Sequence, residues 1–234
     1  MTIDVSNPGA PKLLNATDIV GELREGVSRK IDDTIYVVSQ IAQSYWYGWQ
    51  SPTATQPKEQ AWVYSFNVAD AQHPALVQKL QIFEGGSVQY YDQNSGYYKS
   101  FTGVTIAATS NALMVVENWS VSAWNSGSST VGAGCGSYES NQMAVVSIID
   151  VSDPTGAIRL HTKFNTAGWL GDQFKQTYVF DDATKTGTYY GIFNRQVWSS
   201  GGCAGSFRTQ NSLESWDITN GAAPKRLAAL LGED

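Results

Sequence analysis

The sequence predicts an all-β chain, and three observations carry that expectation. A phrase recurs four times: Asp4-Val5-Ser6-Asn7-Pro8-Gly9-Ala10-Pro11, Asn67-Val68-Ala69-Asp70-Ala71-Gln72-His73-Pro74, Asp150-Val151-Ser152-Asp153-Pro154 and Asp217-Ile218-Thr219-Asn220-Gly221-Ala222-Ala223-Pro224. The apolar runs between the copies are rich in β-branched and aromatic residues and too short to be good helices. Charged residues make up only 15% while Gly, Ser, Thr, Asn and Tyr abound, a composition that suits strands joined by long loops. The copies begin at positions 4, 67, 150 and 217, at intervals of 63, 83 and 67 residues. That spacing is too long for a helical solenoid unit and fits a four-stranded blade, so the predicted architecture is a β-propeller of about three and a half blades.

Each element follows from local chemistry. In the phrase, Asp, Asn and Ser side chains bond backbone amides one or two residues on, and the proline cannot continue a sheet ladder, so every copy terminates a strand. A short strand follows each copy, over 12–14, 75–82, 157–164 and 225–231. After a loop come an amphipathic strand and a strongly apolar one, the latter over 34–38, 112–116 and 188–193. A long polar loop then leads to the strand that carries the next phrase, over 61–67, 143–150 and 212–217. With blade strands lettered a to d from the centre outward, the chain reads c-d and then three sets of a-b-c-d. This gives one propeller domain over 1–234, divided into a partial blade (1–22) and three blades (23–83, 96–164 and 172–231), with about fourteen strands in all.

A chain that starts on strand c lacks half of its first blade, and propellers close with four to eight blades. The expectation is therefore that missing blades come from a longer parent chain or from another subunit, since bare sheet edges invite pairing. Met1-Thr2-Ile3-Asp4 enters a strand at once, with no charged or apolar leader, so Met1 reads as a start added to an excised domain and the signal peptide is expected to lie outside this sequence. Net charge is -6 and no basic run occurs, which argues against nucleic acid as a partner. The longest apolar runs are a handful of residues, far below a membrane span, so membrane insertion is not expected.

Two further stretches, Gly26-Val27-Ser28-Arg29-Lys30-Ile31-Asp32-Asp33-Thr34-Ile35-Tyr36-Val37-Val38 and Ala167-Gly168-Trp169-Leu170-Gly171-Asp172-Gln173-Phe174-Lys175-Gln176-Thr177-Tyr178, join the repeated phrases. Together they resemble the C-terminal β-propeller domain of secreted prokaryotic proteins, which repeats an Asp-Ile-Ser-Asp phrase, a strand and a glycine-aromatic stretch leading to Ser-Arg or Gln-Phe. The resemblance spans nearly the whole chain and rests on degenerate, mostly structural motifs. It implies a propeller fold, secretion to the extracellular space or cell surface, and no general activity; it transfers no catalytic residue. The family domain is considerably longer than this chain.

The chemistry-bearing residues are few. Cys135 and Cys203 both fall in b-to-c loops of consecutive blades, which lie side by side in a propeller, so a disulfide is expected; two unrelated free thiols are the alternative. It would close a loop of 67 residues and cross-link two blades. No Cys-x-x-Cys pair occurs, and His73 and His161 lack metal-ligand spacing, so neither a metal nor a cofactor is expected. No nucleophile elbow or phosphate-cradling loop is present. The acidic pairs Asp32-Asp33 and Asp181-Asp182 read as hairpin turns in place of a calcium site.

The remaining anomaly is aromatic. If b-to-c and d-to-a loops share one face, that face carries Tyr45, Trp46, Tyr47 and Trp49, then Trp119, Trp124 and Tyr138, then Trp198, with Tyr90, Tyr91, Tyr97, Tyr98 and Trp169 from the d-to-a loops. Such stiff, half-polar side chains anchor protein interfaces and stack on sugar rings, although they also fill gaps between blades. Two readings follow. The first is a non-enzymatic binding or scaffold module that recognises a protein or glycan through this face, with no catalytic residues. The second is a carbohydrate-active hydrolase or lyase with Glu117 and Asp172 at the ring centre, for which no second carboxylate at a glycosidase separation is identifiable.

Overall fold

In the computed structural model the described residues are 2–21, 23, 27–41, 60–84, 89–92, 97–125, 137–201 and 204–233. They form an all-β, antiparallel protein with one short 3₁₀ turn, η1 (Gln173–Lys175). A two-stranded hairpin comes first, β1 (Thr2–Asp4) with β2 (Lys12–Asn15). Three four-stranded meanders follow. The first is β3 (Ser28–Ile31), β4 (Thr34–Ile41), β5 (Gln60–Asn67) and β6 (Ala75–Glu84). An extra strand, β7 (Gln89–Asp92), lies at the edge of the second meander, which consists of β8 (Tyr97–Ala108), β9 (Ala112–Asn125), β10 (Ser137–Asp150) and β11 (Arg159–Ala167). The third is β12 (Gln176–Asp181), β13 (Thr186–Gly201), β14 (Ala204–Asp217) and β15 (Lys225–Glu233). Among the described residues no sheet closes on itself.

The repeated phrase makes the same turn in every copy. The opening residue accepts a bond from the amide two positions on: Ser6 N to Asp4 Oδ1 (2.9 Å), Ala69 N to Asn67 Oδ1 (2.9 Å), Ser152 N to Asp150 Oδ1 (3.0 Å) and Thr219 N to Asp217 Oδ1 (3.0 Å). The next acid or amide repeats the move, Asn7 to Gly9, Asp70 to Gln72, Asp153 to Thr155 and Asn220 to Ala222. These bonds satisfy amides that the ladder has just released, which is why Asx residues end strands. Just beyond each turn the outgoing strand carries one unpaired residue against its partner, Leu14, Val77, His161 and Leu227. This shared bulge bends every outgoing strand at the same place.

The meanders stack face to face. One cluster joins Tyr36, Val38 and Val63 of the first to Leu113, Val115 and Ile149 of the second. A second cluster joins Met114, Val116, Val146 and Phe164, on the other face of the second meander, to Tyr189, Phe193 and Ile218 of the third. Here the Phe164 ring stacks on Trp216 at 4.5 Å and meets Tyr189 edge-on at 5.5 Å. The turns reinforce the stack, because the second, third and fourth each rest on the outgoing strand of the preceding unit. Asn15 Nδ2 donates to Gln72 O (3.4 Å), Ile158 N to Gln78 Oε1 (2.9 Å) and His161 Nε2 to Ile218 O (2.6 Å).

Candidate binding face

The long hairpins of the second and third meanders build the site. β9 and β10 pair without interruption from Ala112↔Asp150 to Asn125↔Ser137, and β13 and β14 from Thr188↔Asp217 to Gly201↔Ala204. The apolar runs that mark these strands in the sequence stop near Val116 and Phe193, yet the strands continue. The reason is period-two alternation: Trp119, Val121 and Ala123 fall on one face of β9, Asn118, Ser120 and Ser122 on the other. Trp119, Trp124 and Trp198 therefore lie in strands, not in loops.

The two hairpins join into one sheet. β10 runs beside β11 as far as Met143↔Ala167 and then takes β13 as its neighbour, through Glu139↔Ser199 and Ser140↔Trp198. Polar side chains sew the seam: Gln142 Oε1 accepts from Gln196 N (2.9 Å), and Arg195 Nη2 donates to Asn141 Oδ1 (3.1 Å). Residues directly opposite across a ladder share a face, as do residues two apart along a strand. Trp124 is opposite Tyr138, Ser140 is opposite Trp198, and Trp198 is opposite Phe207. The register thus places Trp124, Tyr138, Trp198 and Phe207 on one face across β9, β10, β13 and β14. Phe207 was not among the aromatic residues singled out from the sequence; its pairing with Trp198 is a property of hairpin register that follows once the tip at 201–204 is located.

The other aromatic candidates behave differently. Trp119 is buried, edge-on to Phe83 (5.0 Å) and Phe101 (5.2 Å), and so packs the second meander against the first. Trp169 is half-buried; its indole N–H donates to Trp119 O (2.8 Å) and its backbone exchanges two bonds with Asn194, each 2.8 Å. Both are structural in their contacts. Tyr45, Trp46, Tyr47 and Trp49, and also Cys135 and Cys203, lie outside the described residues.

The acids of the enzymatic reading occupy separate environments. Glu117 sits on β9, the second strand of its meander, fully buried in the layer between the first two meanders. Burial pushes its carboxyl up to about 7, and the Lys163 ammonium, 3.6 Å away, pulls it back only in part. Lys163 in turn donates to Ile82 O (2.7 Å) and lies over the Phe83 ring. Asp172 instead caps η1, accepting from Phe174 N (2.8 Å), and pairs with Lys175 at 3.6 Å. Glu214, a further buried acid, accepts from Trp216 Nε1 at 2.9 Å; burial first, and then the nearby Glu214, raise the Tyr189 hydroxyl above its ordinary range.

A cavity of about 270 Å³ lies between β3, β8 and η1, lined by Arg29, Ala107, Met114, Phe174 and Gln176 among others, with no carboxylate among its described lining residues. The Arg29 guanidinium donates to the carbonyls of Ile106 and Ser28, and burial lowers its affinity for the proton. Gln176 is held by Tyr189 OH, which donates to its Oε1 at 3.2 Å. Arg29 and Gln176 are thus engaged with the protein itself. Among the described residues no three His, Cys, Asp or Glu side chains stand together as metal ligands, and no helix is long and apolar enough to cross a membrane. The chain matches no protein-family model and no curated relative.

Proposed function

We propose that this protein is a non-enzymatic binding or scaffold module of a secreted or cell-surface protein, built as part of a β-propeller, and that it recognises a protein or glycan through the joined hairpin face. The observation that carries the reading is the register that sets Trp124, Tyr138, Trp198 and Phe207 on one face of a four-stranded sheet. Stiff aromatic residues gathered on one face suit capture of a flat partner or a sugar ring, because such side chains lose little entropy on binding. The dispositions of Glu117 and Asp172, one buried between sheets and one capping a surface turn, support binding over acid-base hydrolysis. The propeller reading draws support from three meanders of one strand order stacked face to face, with β8 touching both β3 and β12, the first strands of the other two meanders.

The test is a glycan array and a panel of surface proteins, probed with the wild type and with a Trp124→Ala/Trp198→Ala double variant. A ligand should be lost by more than about 2 kcal/mol of binding energy in the double variant while its melting transition stays in place. A ligand retained undiminished by the variant would remove the hairpin face from consideration. The same reading carries a Cys135–Cys203 cross-link. Mass analysis after aerobic purification should find the chain two hydrogens lighter than the dithiol, and two alkylatable thiols would reject the link.

A further inference from the structure

The three meanders present equivalent positions, counted from the residue that opens each phrase. In the second, Asp150 pairs with Ala112 and Arg159; in the third, Asp217 pairs with Thr188 and Lys225. Met114, Val116, Val146 and Phe164 therefore correspond to Tyr190, Ile192, Leu213 and Leu230. The first set is buried beneath the third meander. The second set is 39%, 46%, 44% and 71% exposed. The outward face of the third meander thus keeps the apolar residues of an interior junction.

The opposite end of the stack shows the complementary lack. The second residue of each phrase fills the junction with the preceding unit: Ile218 and Val151 are buried and Val68 is half-buried. Val5, its counterpart in the first copy, is 64% exposed, and Ile3 beside it is 41% exposed. The outgoing strands agree. β2, β6 and β11 each receive the turn of the next unit, through Asn15, Gln78 and His161. Among the described residues β15 receives none, and its bulge residue Leu227 is 55% exposed.

We propose that this chain associates head to tail with a second copy of itself, the β1–β2 end carrying Ile3 and Val5 seating on the third meander's face of Tyr190, Ile192, Leu213 and Leu230. The two ends are the donor and acceptor halves of a junction that the chain already builds between its own units. The first phrase has the turn geometry that docks on an outgoing strand elsewhere, and β15 has the bulge that receives it. Because the two surfaces differ, the contact is heterologous, and each copy retains one free end to extend a ring or a filament. This surface shares a face of β13 and β14 with Trp198 and Phe207 but lies six or more residues farther along those strands, and Val5→Asp at the opposite end tests it without touching the hairpin face.

Light scattering and sedimentation on the full chain test it. The average mass of the wild type should rise with concentration over roughly 1 to 100 µM. Val5→Asp and Leu230→Asp, at exposed positions, should each keep the wild-type melting transition and weaken self-association at least about 30-fold. If Leu230→Asp disturbs folding, Leu227→Asp probes the same acceptor end. A one-to-one mixture of the two variants should recover a dimer and nothing larger, since it unites one intact acceptor with one intact donor. A wild type that stays monomeric throughout, a variant that associates like the wild type, or a mixture that stays monomeric would overturn the proposal.

Discussion

The free energy of unfolding should fall by about 3 kcal/mol as the pH rises from 4.5 to about 7, and Glu117→Gln should abolish that fall. In the folded chain the Glu117 carboxyl lies in the layer between the first and second meanders, where burial favours the neutral form. Unfolded, it titrates at its ordinary 4.5. Between the two values the native state binds more protons than the unfolded state, so stability declines with rising pH and levels off above about 7. A tenfold difference in proton affinity is about 1.4 kcal/mol, which sets the size of the effect. Lys163 limits the loss, since its ammonium favours the carboxylate from 3.6 Å.

The aspartates of the repeated phrase act in a separate window. Amide and hydroxyl bonds from Ser6 hold Asp4, and those from Thr155 and Thr219 hold Asp153 and Asp217, below the ordinary 3.8. Asp70 is lowered first by His73. Asp150 is pushed up by burial, but the bonds from Ser152 and Arg159 outweigh it. Their contribution is complete above 3.8 and is lost as the pH falls through the depressed values. Stability should therefore peak near pH 4 to 5, on the acid side of the usual range. Chemical denaturation at a series of pH values reads both windows. A wild-type profile flat from 4.5 to 7, or one with the same slope in Glu117→Gln, would contradict the assignment.

Local chemistry was legible in the sequence and long-range pairing was not. The phrase could be read as a turn because Asp4, Asn67, Asp150 and Asp217 each need only an amide two residues away. The Asp32-Asp33 and Asp181-Asp182 hairpins were legible for the same reason, and Asp32 adopts the left-handed conformation (φ 46°) that an aspartate tolerates in a turn. The ends of β9 and β13 were missed because neither outer half holds a continuous apolar run: β9 alternates apolar residues with serine, and β13 continues through Asn194, Arg195 and Gln196. The joining of β10 to β13 brings Ser140 to Trp198, a contact that no local pattern encodes. Glu117 illustrates the boundary: the sequence marks an acid after an apolar strand, but only the packing shows that it faces Lys163 and a neighbouring sheet in place of a channel.

Gly221→Ala should destabilise the chain by about 3 kcal/mol, lowering the melting temperature by roughly 6 to 12 °C, because the fourth turn is pressed against the second meander. A methyl group at Gly221 would stand 2.1 Å from the carbonyl oxygen of His161, far inside contact distance, and that oxygen belongs to a bulged backbone that has no rotamer to yield. Relief requires the turn to lift. Lifting breaks the 2.6 Å bond from His161 Nε2 to Ile218 O and withdraws Ile218 from the core between the meanders. The first copy supplies the control: Gly9 has only Asn7 Oδ1, at 3.5 Å, near the same hypothetical methyl, so Gly9→Ala should change stability by less than about 0.5 kcal/mol. Thermal melts of the two variants separate a conformational cost of glycine in the phrase from a cost of docking. Equal, small losses in both would mean that the turn does not press on β11, and the phrase would then act within its own strand alone.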